Sequence, residues 1–152
     1  MRRRTLIVGS ATFSAISGCL LDDEGDAKAP ELHGIGRLEI VIDGSPVDLS
    51  EDRFQAEHAD NYSMDFHFHE ETDFWYMEGE EPVTFAEGID AIPYFEYRQD
   101  AGAHVVTYDG TAYHGDESGT ELRFRVDDDE VEPTEYVLED GDDLLLEIST
   151  GG

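Results

Sequence analysis

The chain has 152 residues, of which 38 are acidic and nine basic, for a formal net charge of −29. That charge excludes nucleic acid as a partner, since such binding rests on Lys and Arg contacts to phosphate, and it excludes an electrostatic grip on anionic lipid. An aromatic content of 11% with regular hydrophobic alternation excludes a disordered chain, and the single cysteine, Cys19, excludes an internal disulfide or a Cys-rich zinc centre.

In chain order, Arg2, Arg3 and Arg4 form a basic start, followed over 6–18 by an apolar segment rich in small residues. This segment is shorter than the roughly 20 apolar residues a bilayer-spanning helix needs and has the length of a signal-peptide core. Arg3 and Arg4, followed by Thr5, Leu6 and Ile7, fit the twin-arginine pattern, and Ile16-Ser17-Gly18-Cys19 has the form of a lipobox. These motifs resemble those of haloarchaeal Tat-exported lipoproteins. The resemblance implies that 1–18 is a Tat lipoprotein signal peptide and that Cys19 carries the lipid. The membrane is then a partner through that lipid, and the protein is held outside the cell on the outer face of the cytoplasmic membrane. Residues 19–32 read as an acidic tether containing Pro30, and 33–152 as a single domain.

Without Arg2, Arg3 and Arg4, six basic residues face all 38 acidic ones, a net charge of −32. The acids are spread through the domain, as suits a protein of molar salt, where the Debye length falls to about 3 Å and self-repulsion is screened. They lack the fixed spacing of a calcium loop.

Residues 37–43 alternate Leu38, Ile40 and Ile42 on one face, and Asp43-Gly44 turns the chain into a hairpin with Val47 and Leu49. A short helix capped by Ser50 is expected over 50–59, a strand over 62–69 and another over 74–78. Thr84, with Glu87 three residues on, forms a capping box that opens a helix over 84–92, and Pro93 ends it. Strands over 104–108 and 111–114 flank Asp109-Gly110, and further strands are expected over 121–126 and 143–148. The segment from Arg37 aligns without gaps to the segment from Glu121, pairing Leu38, Ile40, Ile42 and Asp43 with Leu122, Phe124, Val126 and Asp127; this predicts two similar hairpins in one sheet.

The final run, 131–152, resembles the closing strands of β-grasp domains, in which Gly-Asp after an acidic residue precedes the last apolar strand. The expected fold is α+β: a small mixed β-sheet with short helices, β-grasp-like. Gly151-Gly152 resembles the end of ubiquitin-like modifiers, but an export signal is at odds with that cytosolic role.

The functional question centres on His67 and His69. In a strand, residues i and i+2 point to one face, so the two imidazoles project together while Phe66 and Phe68, with Met64, form the opposite, core face. Imidazole suits zinc, copper, iron and nickel, but a stable centre needs three or four ligands. Candidates for the third are His33, Glu70, Glu71, Glu78, His104 and His114. A histidine near the domain start, a His-x-His strand, a helix opened by Thr84-Phe85-Ala86-Glu87 and the closing 137–142 together resemble a family of uncharacterised membrane-anchored proteins, with Phe85 and Glu87 departing from its pattern. That resemblance nominates His33 beside His67 and His69.

No Gly-x-Ser-x-Gly, Walker A or His-Glu-x-x-His motif is present, and lipidation removes the only thiol, so a non-enzymatic role is expected. The reading is a binding domain for a transition metal, copper or zinc. The alternative is an interaction or scaffold module that binds a protein partner in a cell-surface complex.

Overall fold

The computed structural model describes residues 32–70 and 74–151. The twin-arginine motif, Cys19, the rest of 1–31, Glu71 and Gly152 lie outside the described residues.

The first strand, β1 (Gly34–Ile42), buries Leu38 and Ile40 and turns at Asp43-Gly44 into β2 (Ser45–Pro46). Both turn residues have positive φ, 51° and 83°, the geometry of a tight two-residue hairpin. Then come β3 (His67–Phe68), β4 (Phe74–Met77) and the helix α1 (Phe85–Ala91). Strands β5 (Phe95–Asp100), β6 (Ala103–Tyr108) and β7 (Thr111–His114) form a separate three-stranded antiparallel sheet. Finally, β8 (Glu121–Val126), β9 (Asp129–Glu130) and β10 (Asp143–Ser149) complete the main sheet.

That main sheet has the order β3-β4-β1-β10-β8-β9, with β2 also paired to β1. Its centre is the parallel pair β1 and β10, with Arg37 opposite Asp143 and Ile42 opposite Ile148; the neighbours on either side run antiparallel. A parallel pair of first and last strands with a helix packed against a mixed sheet is the α+β arrangement expected from the sequence. The core lies between sheet and helix: Ile40, Leu144, Leu146, Trp75, Phe85 and Ile89 are all buried, and the Phe85 ring meets Phe124 edge-on at 5.3 Å.

The internal echo is structural. Residue pairs Val41–Pro46 and Ile42–Ser45 in the first hairpin match Arg125–Glu130 and Val126–Asp129 in the second, position for position in the alignment. The turns Asp43-Gly44 and Asp127-Asp128 both have positive φ. The Val47 amide donates to Ile40 (2.8 Å) as that of Val131 does to Phe124 (2.9 Å). The Asp48 carboxylate receives the Ser50 amide and hydroxyl just as Glu132 receives those of Thr134. One hairpin lies on each side of β10.

Helix α1 opens as its sequence dictates: the Glu87 amide donates to Thr84 Oγ1 (3.1 Å) and the Thr84 amide to Glu87 Oε1 (2.8 Å). In a helix of seven residues, where the unpaired first amides are a large share of the total, this box matters. Thr84→Ala is expected to cost about 1 kcal/mol, read as a lower denaturant midpoint with unchanged slope.

Three expectations are corrected. The helix over 50–59 is only a 3-10 turn, Asp52–Phe54, without a side-chain cap; the Ser50 hydroxyl bonds Asp48 instead. The chain is drawn out beyond it because Gln55 bridges Phe68 and the Ala56 amide donates to the Phe68 carbonyl (2.7 Å). The strand over 62–69 shortens to His67–Phe68, and Met64 is exposed rather than part of a core face. Strand β5, which the sequence reading left unassigned, follows Pro93 and pairs with β6 across Ala101-Gly102.

Candidate metal centre

His67 and His69 stand on the edge hairpin of the main sheet. Strands β3 and β4 pair antiparallel with His67 opposite Tyr76 and Phe68 opposite Trp75. With a two-residue period, His67, Tyr76 and Glu78 fall on one side of this ribbon, so Glu78 is the diagonal cross-strand neighbour of His67. The opposite side carries Phe66, Phe68 and Trp75 into the core, the Phe66 ring stacked on the indole at 5.5 Å.

Three donor atoms converge. His67 Nε2 lies 3.1 Å from His69 Nε2 and 2.8 Å from Glu78 Oε1, and His69 Nε2 lies 3.3 Å from the same oxygen. His67 is 1% exposed, whereas the His69 and Glu78 side chains are 31% and 30% exposed, so the group has a buried floor and an open side. The His67 side of the ribbon is therefore not a solvent face. The rings of Tyr62 (5.6 Å, edge-on) and Tyr76 (6.2 Å, stacked) enclose its imidazole.

The other nitrogen of each ring is held from behind. His67 Nδ1 lies 2.8 Å from the Ser63 carbonyl oxygen, which can only accept, so this nitrogen bears the proton. His69 Nδ1 lies 2.7 Å from Glu57 Oε2. Burial raises the Glu57 pKa, but its bonds to His69 and to the Glu70 amide outweigh this and hold the carboxyl below its usual range, so it accepts from Nδ1–H. Glu57 reaches the site because residues 55 and 56 run beside Phe68. In the neutral rings, both Nε2 lone pairs thus point at each other and at the Glu78 carboxylate. Three acceptors within 3.3 Å repel unless a cation joins them, either a proton on one ring or a metal ion.

The titration follows from this geometry. Burial lowers the His69 pKa, but Glu57 and Glu78 overcome it and the net shift is upward. Burial likewise raises Glu78, but its contacts with His69 and His67 outweigh this and bring it below its usual range.

Of the proposed third ligands among the described residues, Glu78 alone joins the group. His33 does not: its Nε2 donates to the Gly79 carbonyl (3.0 Å), one residue beyond Glu78. Glu70 pairs with His58 at 2.7 Å. His104 Nδ1 accepts from the Tyr97 hydroxyl at 2.5 Å, its other nitrogen 3.7 Å from Glu132, and His114 is half-buried on β7. Glu57, which the sequence reading missed, had no signal beyond being one acid among many.

Carboxylates behind metal-binding imidazoles fix ring orientation and raise basicity. Glu57→Gln is expected to weaken metal binding about 10–100-fold with little loss of fold, since Glu57 is exposed. Competition against a chelator of known affinity measures it.

No known protein family, curated protein or solved structure is significantly similar to the chain.

Proposed function

We propose that the chain is an exported, lipid-anchored domain that binds a divalent transition metal through His67 Nε2, His69 Nε2 and Glu78 Oε1. The observation that carries this reading is the convergence of three acceptors whose imidazoles are held from behind by Ser63 and Glu57. Two imidazole nitrogens and a carboxylate oxygen suit zinc, copper(II), iron or nickel. Copper(I), which prefers thioether sulfur, is a poor match, since Met77 is buried in the core and Met64 is exposed. The anchoring rests on Arg3, Arg4 and Cys19 in the sequence. The domain itself reads as a binding module rather than an enzyme.

The test is elemental analysis and calorimetric titration of residues 33–152 in molar salt. One ion per chain is expected, with none in a His69→Ala, Glu78→Ala double variant of unchanged fold. Undiminished metal in that variant, or no metal in the wild type, refutes the proposal and leaves the scaffold alternative.

Protons and metal compete for the same lone pairs. Because the metal-free His69 pKa is raised, affinity is expected to begin falling while the pH is still above 6.5, the ordinary histidine value. In the metal-free domain the sign is opposite. The contribution of His69 is full below its unfolded pKa and fades as pH rises through the raised folded value, while those of Glu57 and Glu78 hold above 4.5 and fade as pH falls through their lowered values. Melting curves with and without metal therefore diverge as pH rises, and parallel curves count against the site.

A further inference from the structure

The number and spacing of the donors say how such a centre would be used. Among the described residues, the group of potential ligands has three members, His67, His69 and Glu78. A closed structural zinc site takes four protein ligands, and a site with three leaves a position for an exogenous molecule. The edges of the donor triangle are 2.8, 3.1 and 3.3 Å. With bonds of about 2.0–2.1 Å, tetrahedral geometry separates ligands by about 3.3 Å, and octahedral geometry with slightly longer bonds by about 3.0 Å. Two imidazoles and one carboxylate are the donor set that holds one face of a six-coordinate ion and leaves other positions open, with His67 at the buried floor and the open face turned toward the exposed side of His69 and Glu78.

Charge restricts what that open face takes. A divalent ion is offset once by Glu78 directly and once by Glu57 through His69. The centre is then neutral, so binding an anion makes it negative beside the Glu78 and Glu57 carboxylates, which lie in direct contact with the donor set and are screened little by salt. A neutral donor meets no such penalty.

Resting on the metal-binding reading above, we infer that the centre holds a six-coordinate divalent ion with an open face and exchanges its water there for small neutral donor ligands in preference to anions. Cobalt(II) tests this, because its visible absorption is weak when six-coordinate and intense when four-coordinate. The domain is loaded with cobalt(II) in molar sodium sulfate at neutral pH and titrated with imidazole or with azide, and dialysis checks that cobalt stays bound. The expected result is a weak six-coordinate spectrum that shifts with imidazole at a concentration at least tenfold lower than azide requires. Intense four-coordinate bands that neither ligand alters overturn the open face while leaving metal binding intact. Equal or stronger response to azide overturns the neutral preference. Failure to retain cobalt at all, or retention undiminished by Glu78→Gln, overturns the metal-binding reading itself.

Discussion

Replacing His67 with alanine is expected to abolish metal binding and to destabilise the metal-free domain as well. Two donors remain, neither of them buried, and the loss of affinity exceeds the roughly 10–100-fold that removal of a supporting residue costs. His67 is 1% exposed, so its removal leaves a cavity between Tyr62 and Tyr76, and the Ser63 carbonyl is left with the 3.3 Å bond from the Phe66 amide. Losing one hydrogen bond at a half-buried carbonyl costs about 0.5–1.5 kcal/mol, and the cavity adds to it. His69→Ala provides the contrast, because its ring is 31% exposed: the metal is lost, but the denaturant midpoint moves less. If both variants retain stoichiometric metal, the centre lies elsewhere. If His67→Ala is as stable as wild type, the account of its burial is wrong.

The second large effect is expected at Trp75. Its indole is fully buried on the core side of the β3–β4 ribbon, stacked on Phe66, and donates through Nε1 to the Arg37 carbonyl at 3.0 Å. It also sets the spacing of β1 and β4, since a Cβ at Gly36 would collide with both the indole and the Asp142 carbonyl. Trp75→Ala should cost about 3–5 kcal/mol, a large part of the roughly 5–15 kcal/mol that keeps a domain folded. Urea unfolding in molar salt measures this, and a loss below about 1 kcal/mol would contradict the packing. Where the variant stays folded, metal should still bind, because the three donors point away from the indole.

What could be read from the sequence divides by how local its cause is. The hairpin at Asp43-Gly44, its echo at Asp127-Asp128 and the Thr84–Glu87 box were legible because their signals sit within a few residues of the structure they make. The expected helix over 50–59 failed because a remote strand captured it: Phe68 receives the Ala56 amide, which no local propensity reports. Strand β5 was hidden because its outward positions carry Glu96, Arg98 and Asp100, leaving short alternation without a flanking Asn-Gly or Asp-Gly signal. At the centre, the shared direction of His67 and His69 followed from the strand period, whereas the choice of Glu78 over His33 followed from the register of β3 on β4. Register depends on the whole sheet and is written in no single motif.

The position of β10 between the two hairpins has a consequence for how the domain reaches its native state. Arg37 pairs with Asp143, and the Asp43 carboxylate clasps the Thr150 amide and hydroxyl at 2.7 and 2.8 Å. The first hairpin can form early, yet it joins the second only through a strand made more than a hundred residues later. Contacts so distant along the chain slow folding, because loop-closure entropy is lost before they form. The two halves of the sheet can therefore join only once β10 is made, and a transport route that accepts only finished cargo would have to wait for that closing strand.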